Sequence, residues 1–208
     1  MKVAIRRSPV GRLLAEAGAT VTVEAGWELA SSFGDAAKER WFLRDRCGLA
    51  DITARAKVDV RGNVDPALAT RGDGRVARLS STWALVLGPP GTEIELLGSL
   101  ASGAGSDAMV TDATHLFVGL AVGGPGLDGV LARTSSWDPA TLAPGGAAGA
   151  PVAGVRAVML RPELSIPMVE IYLAPEYGRY AWETMAAVVR SQGGGPVGWD
   201  ALRAEGWS

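Results

Sequence analysis

The chain holds one histidine, His115, and one cysteine, Cys47, so chemistry that pairs a nucleophile with an imidazole has a single candidate of each. His115 leads into the apolar run HLFVGLAV, and no Ser-His-Asp arrangement follows from one histidine without partners. It reads as a structural or surface residue. Cys47 closes a helical segment on its core side and reads as packing. A lone thiol rules out an internal disulfide framework and any zinc or iron–sulfur site built from several thiolates of one chain. That usage fits a reducing, cytosolic setting. LGPPGTE, residues 87–93, lacks the Gly-Lys-Ser/Thr ending of a phosphate loop, and GGPG, 123–126, lacks the Gly-x-Gly-x-x-Gly spacing, so nucleotide binding is set aside. Gly72-Asp73-Gly74 is a turn sequence in which an aspartate can cap its own backbone, and Glu163 sits in a loop where a glutamate is ordinarily a solvated charge.

Composition bounds the alternatives. The 208 residues are 48% hydrophobic and 20% charged with a net charge of −2, which is ordinary globular composition with ample material for a core. No basic block offers itself to a nucleic-acid backbone or an anionic membrane surface. The start, MKVAIRRSPVGRLL, has no apolar stretch behind its charges. No later segment approaches the roughly 18 apolar residues that span a bilayer. Seven tryptophans are many for this length; most belong in a core, while Trp137, Trp199 and Trp207 fall in loop or end regions and are candidate anchors for a partner.

The elements that would position such residues can be read from period and punctuation. Gly34-Asp35 starts a helical pattern through Cys47, and Gly48 stands where a left-handed stop is wanted. From Ile52 the even positions Ile52, Ala54, Ala56, Val58 and Val60 are apolar, while Thr53, Arg55, Lys57, Asp59 and Arg61 are polar. That is the period of a strand with one wet face. Val76–Leu79 and Thr82–Leu87 form a hairpin that ends at GPPG. Glu93–Leu100 suits a short helix. His115–Val122 reads as a strand, followed by GGPG and the helix-like LDGVLART. PGGAAGAP, 144–151, is a flexible loop. Val152–Leu160 and Ser165–Leu173 read as strands, and Tyr177–Arg190 as a helix with Trp182, Met185 and Val189 inward. Strands punctuated by helices without strict alternation indicate an α+β domain, mainly antiparallel, with flanking helices. The chain reads as one compact domain over 1–208, with 1–105 and 106–208 as alternative subdomains.

These segments also carry a resemblance. RRSPVGRLLAEAGATVTVEAGWELASSFGDAAKERWFLRDRCGLADITARAKVDVRG resembles the amino-terminal part of the aminomethyltransferases, the T-proteins of glycine cleavage. Arg7-Ser8-Pro9, Gly18-Ala19, Ala25-Gly26-Trp27-Glu28, Glu39 with Arg44, Gly48-Leu49-Ala50-Asp51 and Gly62 stand in the family's order and spacing. LAVGGPGLDGVL, 120–131, is similar to its strand-Gly-Pro-helix segment, and PVGWDALRAEG, 196–206, to the segment that closes the folate-binding body. No segment corresponds to the family's carboxy-terminal barrel. The size and order are those of the gamma subunit of heterotetrameric sarcosine oxidase, a compact member of the same superfamily.

The resemblance implies a tetrahydrofolate-linked role, with no metal in this chain. The family's catalytic aspartate matches Asp73 in DGRVARL, where a carboxylate can stabilise a cationic one-carbon transition state. Its later glutamate matches Glu170 in PELSIPMVEIYLAP, but the pterin-binding glutamate falls on Ile166, which accepts no hydrogen bond; Glu163 is the substitute. The arginine of the closing segment is reduced to Arg203. Two functions follow. The chain is a subunit of a folate-linked methyl or aminomethyl transferase or demethylase complex, partnered by a flavoprotein or a second T-protein-like chain. Alternatively, it is a non-catalytic subunit with a degenerate folate site. Either way it works with protein partners, and the surface around Tyr177–Arg190, Trp199, Leu202 and Trp207 is where they would bind.

Overall fold

In the computed structural model, which describes residues 4–136, 138 and 141–207, helix α1 (Gly11–Glu16) precedes a hairpin of β1 (Thr20–Glu24) and β2 (Trp27–Ser32). Ala25 and Gly26 take φ of 50° and 78° at its tip, the left-handed pair that lets a two-residue turn follow the twist of its strands. Helix α2 (Ala36–Asp45) starts where the Asp35 carboxylate accepts the Lys38 backbone N–H at 2.9 Å, an N-cap. Then come β3 (Gly48–Asp51), β4 (Ala56–Gly62), α3 (Val64–Leu68), β5 (Arg75–Ser80), β6 (Trp83–Gly88), α4 (Glu93–Gly103) and β7 (Ala108–Asp112). The second half supplies β8 (Val118–Gly123), α5 (Leu127–Thr134), β9 (Ala147–Val152), β10 (Val155–Leu160), β11 (Met168–Leu173), α6 (Gly178–Ser191), β12 (Gly195–Pro196) and α7 (Trp199–Ala204).

Two larger sheets result. One has the order β12-β3-β8-β11-β10-β9 and the other β5-β6-β4-β7. Every pairing is antiparallel except β12 with β3. Both sheets combine strands from before and after residue 105, because the chain crosses between them at 52–55 and again at 113–117. The fold is an α+β arrangement in layers. Leu14, Val130, Leu131, Trp182, Met185 and Val189 from helices α1, α5 and α6 cover one face of the six-stranded sheet. Its other face meets the four-stranded sheet through Ile52, Leu160, Tyr172, Ala77, Leu85 and Leu87. Helices α3 and α4 close the far side over Val58, Val60, Val86, Leu96 and Leu100.

This layering corrects five readings of the sequence. Val58 and Val60 are buried as the alternation requires, but Thr53, Arg55 and Lys57 are buried too. The polar positions are enclosed as far as Lys57, while Asp59 is part-buried and Arg61 exposed, so only the far end of the run is wet. The run is also two strands separated by a turn, since β3 belongs to one sheet and β4 to the other. Gly48 ends no helix: it lies in β3, where a Cβ would meet Val197 Cγ1 at 2.8 Å and Leu43 Cδ2 at 2.9 Å. Ala147–Val152 is a strand and not a loop, paired along its length with β10. Finally, Trp199, Leu202 and Trp207 are core residues. Trp199 and Trp207 pack edge to face at 5.0 Å, so the tail closes the inter-sheet layer and neither indole is open to a partner, while Tyr177 and Tyr180 at the start of α6 stay exposed. Trp137 lies outside the described residues.

Candidate functional site

Glu170 organises the layer between the sheets. It is fully buried on β11, where alternation sends Met168, Glu170 and Tyr172 to one face. Its Oε1 accepts from Arg55 Nη1 at 3.2 Å, Arg75 Nη1 at 2.7 Å and Trp207 Nε1 at 2.8 Å, and its Oε2 accepts from the Tyr172 hydroxyl at 2.6 Å. A carboxylate placed in a dry interior needs such partners to remain charged. Burial drives the Tyr172 phenol well above its usual pKa, and the Glu170 charge adds to that; the phenol therefore stays a donor. Burial also lowers the Arg75 pKa, with Glu170 opposing the shift.

Arg75 leads from this interior to the surface. Its side chain is 22% exposed, against 2% for Arg55, and with Arg71, Gly74, Val76, Gly145, Leu160, Pro162 and Glu163 it lines a cleft of about 400 Å³. A second cleft of about 250 Å³ adjoins it, sharing Arg71 and Gly74 and adding Asp73, Gly88, Pro89 and Glu95. The β5–β6 hairpin explains this meeting, because pairing Arg75 with Leu87 sets the 71–74 turn beside the GPPG end of β6. Asp73 is exposed and enters no hydrogen bond or ion pair among the described residues. It does not cap its own turn; the turn is closed by Gly74 N donating to Arg71 O at 3.2 Å. Glu163 is likewise exposed and unpartnered among the described residues. Gly145, at φ 77°, leaves it room, since a Cβ there would stand 3.0 Å from Glu163 Oε1.

Three of the four residues singled out in the sequence thus lie around one region, Asp73 and Glu163 at its mouth and Glu170 behind Arg75. Arg203 does not. It is on the outer side of α7, paired with Glu24 at 2.6 Å and resting on the Trp199 ring. Ile166 is half-buried and packs against the inter-sheet core. The sequence reading missed Arg55 and Arg75. One signal was available: WALVLG of β6 is apolar at both parities, which is how a strand covered on both faces reads, and its neighbours β4 and β5 must share that cover. A larger cleft of about 970 Å³, lined by Trp83, Phe117, Arg156, Val158 and Tyr177 among others, holds none of the uncommitted carboxylates. Among the described residues no group of three or more metal-ligating side chains occurs, and no helix is long and apolar enough to cross a membrane.

No protein-family model matches the sequence. An aminomethyltransferase from Streptomyces coelicolor is 27% identical over 233 aligned positions, which take in 97% of this chain and 63% of the relative. Glycine cleavage system aminomethyltransferase T from Bartonella henselae superposes with a TM-score of 0.80 at 22% identity, over 97% of this chain and 62% of that one. The chain has the aminomethyltransferase fold. It spans a little under two thirds of the length of these relatives. A chain of the heterotetrameric sarcosine oxidase from Corynebacterium sp. U-96 matches with a TM-score of 0.64 at 17% identity, over 89% of this chain and 95% of its own. The aminomethyltransferase fold is therefore present here at the extent found in that sarcosine oxidase chain.

Proposed function

We propose that this chain is the folate-side subunit of a one-carbon transfer or demethylase complex, with tetrahydrofolate held in the paired clefts around Asp73, Arg75 and Glu163. One observation carries the reading: three carboxylates without partners among the described residues, Asp73, Glu95 and Glu163, face adjoining clefts of about 400 and 250 Å³ that share Arg71. Together they have the volume of a small-molecule site. The residues fit the group. A pterin offers N–H donors that need acceptors, and Glu163 offers an acceptor where Ile166 offers none. Arg71 and Arg75 suit the anionic end of a folate. Bound tetrahydrofolate supplies amine nitrogens that take up a one-carbon unit. Asp73 would stabilise the positive charge of that transfer, and Glu170 would hold Arg75 in place. A partner subunit, such as a flavoprotein or a second T-protein-like chain, would present the methyl group.

A second reading is favoured by Ile166 and by Arg203, which is committed to Glu24 at the surface: the fold is kept as a structural subunit and folate is no longer bound. Calorimetric titration with tetrahydrofolate separates the two. The first reading expects saturable binding that Glu163→Gln weakens by about tenfold, the equivalent of one charge-assisted hydrogen bond. Absence of heat with the isolated chain and with the chain in its native complex would leave the structural role.

A further inference from the structure

Lys57 is fully buried, and its ammonium donates to three backbone carbonyls: Thr53 O at 2.7 Å, Arg55 O at 2.9 Å and Thr114 O at 3.2 Å. Two of these oxygens lie on the 52–55 connection from β3 to β4, and the third lies on the 113–117 connection from β7 to β8. These are the two crossings between the large sheets. The backbone N–H of Lys57 also donates to Thr114 Oγ1 at 3.2 Å, and Thr53 Oγ1 accepts from Gly119 N at 3.1 Å. The three N–H bonds of an ammonium are thus matched by three acceptors. The charged groups around it are Asp51 on β3, Arg55 on the turn, Asp112 on β7 and Glu93 on α4. The Tyr172 ring of β11 lies 6.0 Å away.

The turn that Lys57 holds is the turn that carries Arg55. Its guanidinium meets Glu170 and lies 5.0 Å from the Trp207 ring, and Glu170 in turn grips Arg75 at the cleft. We propose that the Lys57 ammonium is the positioning group of the candidate site, fixing both sheet crossings and, through Arg55 and Glu170, the place of Arg75. Burial brings its pKa from 10.5 down to about 7, with Asp51 acting in the opposite direction. The proton is therefore exchanged in the neutral range. A neutral amine has two N–H groups and a lone pair, so one of the three carbonyls loses its donor, the 53–55 turn loosens, and the hold on Arg75 weakens with it.

The chain has three lysines, Lys2, Lys38 and Lys57, so protein labelled with 13C at the lysine ε-carbons gives three signals for a pH titration without ligand. The expected result is a Lys57 midpoint near neutrality, with the indole N–H of Trp207, identified by Trp207→Phe, shifting over the same range. In Lys57→Arg, which stays charged throughout, the indole signal should no longer follow pH. Because His115 stacks on Trp27 at 5.3 Å, the titration is repeated in His115→Gln, where the coincidence should persist. A Lys57 that remains protonated above about pH 9, or one that titrates while Trp207 does not move, overturns the proposal. The link to ligand rests on the folate reading and is measured separately, with tetrahydrofolate as the probe. Its affinity should fall about tenfold as Lys57 is deprotonated and stay flat in Lys57→Arg. No binding at any pH defeats the folate reading and leaves the ligand-free result standing.

Discussion

Asp73 and Glu163 differ from Glu170 in what they are free to do. Glu170 spends all its acceptor capacity on four internal donors, so its work is to hold. Replacing it by alanine leaves two guanidinium groups facing each other in a dry layer, and we expect a loss of about 3–5 kcal/mol in denaturant unfolding. Asp73 has no such ties. Asp73→Asn should stay within about 0.5 kcal/mol of the parent while lowering transfer in the assembled complex by about a hundredfold. Full activity in that variant would mean the carboxylate has no part in the chemistry. Asp73 and Glu170 were singled out in the sequence by the resemblance of DGRVARL and PELSIPMVEIYLAP to the family's motifs, and they stand at the cleft mouth and behind Arg75 respectively. The partners of Glu170 were not, because Arg55, Arg75 and Trp207 come from three separated segments and only the sheet-on-sheet layer joins them.

At the scale of elements, what the sequence revealed was local and what it hid was between layers. The β5–β6 hairpin, α4, α5 and α6 could be read from period and breakers, since each depends on residues within a dozen positions. The two-residue alternation after Ile52 told which residues share a parity, yet parity alone does not say what lies opposite. Here a second sheet lies opposite, and the polar side is buried as far as Lys57 and opens to solvent at Arg61. Gly62 ends β4 with φ at 92°, and a Cβ there would collide with the Asp107 carbonyl; Gly62→Ala should therefore cost more than about 1 kcal/mol, read as a lower melting temperature. Lys57 makes a pH prediction whose sign is opposite to that of a salt-bridged lysine. Its folded pKa, about 7, lies below the unfolded value near 10.5, so between those values the unfolded chain binds more protons. Stability should therefore rise from pH 7 toward pH 10 through this group, and the slope should vanish in Lys57→Met. A slope that survives the substitution assigns it to another group.

As a whole molecule, the chain presents the aminomethyltransferase fold over a little under two thirds of the length of the relatives compared, and on our reading it works beside partner subunits. Trp199 and Trp207, which the sequence offered as partner anchors, are used instead to close the layer behind Glu170. Trp207 should therefore be shielded from acrylamide in the isolated chain, and its exposure would contradict the packing described. The central claim is that the clefts around Asp73, Arg75 and Glu163 hold a folate. Hydrogen–deuterium exchange with and without tetrahydrofolate tests it most directly, because it reports where a ligand sits as well as whether it binds. Slowed exchange is expected in 71–76, 86–92 and 160–166, with no change along 149–158. Protection confined to 149–158 and the segment around Phe117, or no protection anywhere at saturating tetrahydrofolate, would contradict it.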